Sequence, residues 1–209
     1  MIDVSNRNIW FFRERRSGGT PLTFILPGLL NRQPLFIDDN SDFEPYHDPS
    51  IFYNTHDFEL LHKVQHLNPI LFRCTRKNKT EQMLSERAAF RMDVDSNDEQ
   101  FFNFSHNVEE ELTNFIKFTH NKIRIGEQSV RNFAERKKRL DQLWDSVSSK
   151  FENHTFYYED VTDTIDIPIL NLYNVEINRD KFTKKLPNYK RKVYTNYDQV
   201  EQWMNNYYL

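Results

Sequence analysis

Cysteine occurs once in the 209 residues, at Cys74, so the chain cannot close a disulfide on itself and suits a reducing compartment. Glycine is almost as scarce, with 4 in the sequence, two of them adjacent at Gly18 and Gly19. A chain this poor in glycine spends it where the backbone needs unusual torsions or a close approach. Long apolar runs are missing too, since none nears the roughly 20 residues needed to cross a bilayer. The opening Met1 to Asn8 has neither the basic start nor the apolar stretch of a secretory signal. A soluble, cytoplasmic protein without a membrane partner is therefore expected. No sign of charge dominates: 28 Lys and Arg against 31 Asp and Glu leave a formal net charge of -3. That excludes a broad nucleic-acid-binding surface, and any anion site must be local.

What is abundant is aromatic carbon. Phe, Tyr and Trp make up 15% of the chain, and their large buried areas favour an aromatic-rich core. The length suffices for one α/β domain spanning residues 1–209 without disulfide support. Short apolar runs predict strands at Asn8 to Phe12, Ile51 to Asn54, Pro69 to Cys74 and His154 to Tyr158, the third a central parallel strand. Helical patterning predicts Pro21 to Leu30, Asp57 to Gln65, Thr80 to Phe90, Val108 to Lys122, Glu127 to Ser149 and Tyr197 to Tyr207. Pro27 and Gly28 are expected to end or kink the first of these early. Asn31 to Ser50, rich in Asp, Asn and Pro, is read as a loop and a lid on the acceptor side. Arg136 to Arg139 is read as a solvated helix face. The alternation of strands and helices predicts α/β.

Chemistry concentrates at the strand exits. After Phe12 comes Arg13-Glu14-Arg15-Arg16-Ser17-Gly18-Gly19-Thr20, then a predicted helix. A strand feeding a glycine turn and a helix aims several backbone N–H groups at one spot, which suits phosphate or sulfate. Arg15 and Arg16 add charge, and Ser17 and Thr20 add hydroxyl donors. The Gly-Lys-Ser/Thr ending of a nucleotide-hydrolysing loop is missing, which disfavours an ordinary ATPase or GTPase. A second basic exit, Arg76-Lys77-Asn78-Lys79, follows the Pro69 to Cys74 run and leads into the helix that carries Ser85. Between them Thr55-His56 follows a strand, and later Tyr158-Glu159-Asp160 closes another.

In this order the motifs resemble the sulfotransferase superfamily across roughly Ile9 to Asp160. Arg16-Ser17-Gly18-Gly19-Thr20 is similar to the family's 5′-phosphosulfate loop, with Gly19 as a departure. The resemblance implies that a basic residue and a serine after the later strand hold the 3′-phosphate of the nucleotide. Lys77 to Ser85 has the family's spacing of eight and Arg76 to Ser85 is one longer. A bidentate guanidinium directly after the strand favours Arg76, with Lys77 as the alternative. Thr55-His56 matches the family's Thr-His pair, implying His56 as catalytic base, while Asn54 stands where the family often has lysine. Tyr158 corresponds to the tyrosine near the adenine. Lys190 to Lys192 fall where members send a late basic loop, without a residue-level match.

The implied fold is a P-loop NTPase-like three-layer α/β domain with a central parallel sheet. The implied reaction is metal-free sulfuryl transfer from 3′-phosphoadenosine-5′-phosphosulfate (PAPS) to a hydroxyl or amine of a small molecule or glycan. Its product is 3′-phosphoadenosine-5′-phosphate (PAP). Arg16 and His56 would carry the chemistry. Arg15 to Thr20, Arg76, Ser85 and Tyr158 would bind the nucleotide. The short chain implies trimmed acceptor loops and suits a viral or microbial member. The alternatives are a nucleotide or small-metabolite kinase on a degenerate P-loop and a non-catalytic nucleotide-binding module.

Overall fold

The computed structural model describes residues 6–15, 20–37, 42–95, 123–160 and 190–209. The chain divides into two compact units, one built from residues 1–77 and 139–184, the other from 78–138 and 185–209. The expected helix over Val108 to Lys122 lies outside the described residues.

The first unit is built on a sheet. Among the described residues its strands are β1 (Ile9–Arg13), β2 (Gln33–Ile37), β3 (Ile51–Thr55), β4 (Ile70–Thr75) and β5 (Asn153–Tyr157). They pair in the order β2-β3-β1-β4-β5, and every pairing is parallel. β1 is central because Ile-Trp-Phe-Phe is apolar on both faces and can be covered from both sides. Its Ile9, Phe11 and the neighbouring Phe52 and Phe72 pack with Leu22 and Leu26 of helix α1 (Thr20–Leu29). On the other face Trp10, Phe12 and Tyr53 pack with helix α2 (Leu60–Val64). Trp144 and Val147 join that layer from the far end of a long helix, Glu127–Ser148. Trp10 lies flat on Tyr53, with ring centroids 4.4 Å apart, the kind of cross-strand aromatic pair that fixes register. The result is an α/β arrangement with helices against both faces of a parallel sheet.

Two expectations are corrected here. Asn31 to Ser50 is not all loop, because Gln33–Ile37 forms edge strand β2. Pro34 is tolerated for a geometric reason. Gln33 N–H donates to Ser50 O at 2.8 Å on the β3 side, so the alternating backbone turns the Pro34 nitrogen to the open edge, where no donor is needed. Residues 42–50 do not form a lid over the strand exits. Asn8, just before β1, donates to Tyr46 O at 2.9 Å and accepts from Asp48 N–H at 3.1 Å, which ties that stretch to the opposite, amino edge. Pro27 likewise does not end α1 but lies inside it. The helix stops at Asn31, whose φ of 52° is left-handed. Arg32 N–H then bonds Pro27 O at 2.8 Å and Asn31 N–H bonds Gly28 O at 3.3 Å, the paired closing bonds typical of a left-handed helix cap.

The second unit is helical among its described residues. It combines α3 (Lys79–Asp95), the first part of α4 (Glu127–Ser148), the short α5 (Lys190–Val193) and α6 (Tyr197–Tyr208). Met83 and Leu84 of α3, Val130, Phe133 and Ala134 of α4, and Val200 and Met204 of α6 share one core. Tyr194 Oη donates to Leu84 O at 2.8 Å, and Tyr197 Oη to Glu81 Oε1 at 2.7 Å. The Arg136 to Arg139 run is not uniformly solvated, because Lys137 is buried while Arg136 reaches Glu86 at 2.7 Å. Among the described residues no helix is long and apolar enough to cross a membrane.

Candidate functional site at the carboxyl edge of the sheet

A parallel sheet gathers all its strand exits on one edge. The chain leaves β1 toward α1 and β2 on one side, while beyond β4 the sheet continues to β5 on the other. Adjacent strands with diverging connections open a crevice at their carboxyl ends, where ligands bind in open α/β sheets. Here the strand order puts that switch point between β1 and β4.

The residues around it come from four exits. Arg13 ends β1. Its Nε donates to Asn54 Oδ1 at 2.5 Å, and its carbonyl lies 2.5 Å from His56 Nδ1. A carbonyl only accepts, so Nδ1 carries a proton, and in the neutral form of the ring the lone pair would lie on Nε2. The backbone at His56 is set by its neighbours. Thr55 Oγ1 accepts from Asp57 N–H at 2.9 Å and Asp57 Oδ1 from Glu59 N–H at 2.9 Å, side-chain turns that redirect the chain into α2.

At the β4 and β5 exits, the Arg76 guanidinium lies over the Tyr158 ring, 4.1 Å from its centroid. That cation–π contact holds Arg76 in place and covers one face of Tyr158. Lys77 N–H donates to Glu159 Oε2 at 2.8 Å, and its ammonium pairs with Asp160. The Asp160 hydrogen bond raises the Lys77 pKa above its ordinary value. Both candidates for a 3′-phosphate grip are thus engaged, Lys77 with carboxylates and Arg76 with an aromatic ring.

Beside these exits lies a buried ion cluster. Arg73 on β4 donates from Nε at 2.8 Å and Nη2 at 2.5 Å to Glu14 Oε1, and it also pairs with Asp141. Arg73 is 5% exposed and Glu14 4%. Burial works against the Arg73 charge, but Glu14 and Asp141 outweigh it and raise its pKa. Glu14 N–H also donates to Cys74 O at 3.1 Å. The first residue past β1 is therefore fixed by both backbone and side chain.

Of the sequence-derived site residues, His56, Arg76 and Tyr158 lie at strand exits on this edge, Arg76 against Tyr158, with exposed Arg15 on the exit of β1. Thr20 opens α1 at the same end of the sheet. Arg16, Ser17, Gly18 and Gly19 lie outside the described residues. Ser85 belongs to the second unit, half-buried on α3. In that unit Arg191 is paired with Asp198 and lies 4.2 Å from the centroid of Tyr197. Sequence reasoning noted Asn54 only as standing where the resembled family often has lysine, and it did not single out Arg13, Glu14 or Arg73. The signal for Asn54 was a polar residue alternating with Phe52 on an apolar strand, a position that aims it at the core face.

No family model matches the chain, and neither a curated protein nor a solved structure matches it.

Proposed function

We propose that the chain is a PAPS-dependent sulfotransferase on a P-loop NTPase-like fold, transferring a sulfuryl group to a hydroxyl or amine of a small molecule or glycan. The observation that supports this reading is that His56, with Nδ1 bonded to Arg13 O at 2.5 Å, and Arg76, stacked on Tyr158, both follow strands at the carboxyl edge of the sheet. One group is suited to take a proton and the other to hold an anion.

In the proposed reaction the acceptor oxygen or nitrogen attacks sulfur opposite the bridging oxygen of PAPS. The new bond to sulfur forms as the bond from sulfur to that bridging oxygen breaks, and PAP leaves with the electron pair. The acceptor proton passes to His56 Nε2. Charge spreads over the sulfuryl oxygens, so alignment and fixed N–H donors contribute most of the acceleration. The N-terminus of α1 and the Arg15 to Thr20 segment would supply those donors. Arg76 would hold the 3′-phosphate, and Tyr158, with one face covered by Arg76, would meet the adenine through its edge or other face.

Calorimetry with PAP in the presence of a chelator, followed by transfer of label from radioactive PAPS to an acceptor panel, tests the proposal. Metal-independent PAP binding together with label transfer supports it. Binding of ATP only with magnesium would favour a kinase, and PAP binding without transfer to any acceptor would favour a binding module.

A further inference from the structure

The exits of β4 and β5 stay in contact past the last register pair, Thr75 with Tyr157. Arg76 lies over Tyr158, 4.1 Å from the ring centroid. Lys77 N–H donates to Glu159 Oε2 at 2.8 Å, and the Lys77 ammonium pairs with Asp160 while lying 5.4 Å from the centroid of Tyr157. An aromatic face attracts a guanidinium without fixing its rotation in the plane of the ring, so the Tyr158 contact does not by itself set where the Arg76 fork points. The bond to Glu159 supplies what is missing. Lys77 N–H belongs to the planar peptide unit that begins at the Cα of Arg76, so anchoring that N–H fixes the backbone from which the Arg76 side chain springs. Two carboxylates beside a proposed phosphate site oppose anion binding by charge alone, and both are bonded to Lys77. Positioning accounts for them where charge does not.

We infer that Glu159 is a positioning residue for Arg76: it holds the Arg76–Lys77 peptide, with the Lys77–Asp160 ion pair as a second tie, so that the guanidinium on Tyr158 presents its N–H fork to the 3′-phosphate of the nucleotide. This rests on the nucleotide reading proposed above and adds to it a group that does not touch the ligand. The Lys77 and Asp160 side chains are 55% and 39% exposed, and an ion pair this open to water contributes little by itself. The charge-assisted bond to Glu159, made to the backbone itself, is the main tie.

Two variants of Glu159 separate position from charge. Glu159→Gln and Glu159→Met are both neutral and of similar length, but only glutamine keeps an oxygen for Lys77 N–H. Metal-free calorimetry should show PAP bound about 3- to 10-fold more weakly by Glu159→Met and within about 2-fold of wild type by Glu159→Gln. Adenosine 5′-phosphosulfate, which lacks the 3′-phosphate, should stay within about 2-fold in both. In an Arg76→Ala background the Glu159→Met loss should vanish, because the two residues act through one contact. The same change in PAP affinity for both Glu159 variants would mean that the carboxylate acts by charge and would overturn the inference, as would a loss that persists without Arg76. If wild type binds no PAP, the functional reading fails, and the positioning claim is still decided in the nucleotide-free protein. There the δ-methylene protons of Arg76 sense the Tyr158 ring current, and Glu159→Met should move their resonances toward unstacked values while Glu159→Gln should not. Resonances unmoved by Glu159→Met would overturn it. Should Glu159→Met not fold, Glu159→Ala removes the same acceptor and is read in the same way.

Discussion

The two edges of the parallel sheet treat their polar groups in opposite ways. At the amino edge Asn8 uses both ends of its amide, on Tyr46 O and Asp48 N–H. Nearby Arg7 reaches Glu152 at 2.5 Å, Pro69 O at 3.1 Å and Asn68 O at 3.4 Å. These bonds bind the entries of β1, β4 and β5 to one another and to the loop before β3. At the carboxyl edge Asn54 uses only its oxygen, and its Nδ2 is buried with no acceptor. The same residue type thus closes the structure at one edge and leaves a donor unmet at the other. Stability alone would favour satisfying both.

The largest effect expected from disturbing this contrast is on turnover. His56→Ala should lower sulfuryl transfer by roughly 10²- to 10⁴-fold while PAP affinity stays nearly constant. Transfer at close to the wild-type rate would remove His56 from the mechanism. Next comes the support at the strand exits: Arg73→Met removes the buried guanidinium that Glu14 and Asp141 share and should cost about 3–5 kcal/mol in a urea unfolding experiment. A loss below about 1 kcal/mol would mean that the cluster does not anchor the β1 exit. A smaller effect is expected from Arg76→Ala, which should weaken PAP by about 10- to 100-fold but adenosine 5′-phosphosulfate far less. Matching losses for both would move the 3′-phosphate grip away from Arg76. The smallest is at the opposite edge, where Asn8→Ala should cost about 1–2 kcal/mol of stability and leave PAP affinity within about 2-fold. A clear loss of PAP affinity in that variant would erase the distinction between the edges.

The strands and helices that bury continuous or periodic apolar surface were legible in the sequence. Ile-Trp-Phe-Phe of β1 and Ile-Leu-Phe of β4 have no polar face to solvate, so an internal parallel strand was the natural reading. The period of Val130, Phe133 and Ala134, carried on to Trp144 and Val147, marked α4. Edge strand β2 was not legible, because Pro34 reads as a breaker until its nitrogen is known to face the open edge. Pro27 does not end α1 at its own position, because a proline lacks only the N–H donor and the helix closes one turn later through Asn31. Among the candidate residues, the positions of His56, Arg76 and Tyr158 at strand exits could be read from the sequence because each directly follows an apolar strand. The pairing of Arg13 with Asn54 could not, because it is a cross-strand contact between residues 41 apart in sequence. Glu14, Arg73 and Asp141 were hidden for the same reason, since no local pattern records a buried ion cluster.

A structure of the chain with PAP bound tests the central claim most directly. The account predicts the 5′ end of the nucleotide over the switch point between β1 and β4, with the 3′-phosphate against Arg76. Occupancy of any other surface, or no occupancy at saturating PAP, would contradict it.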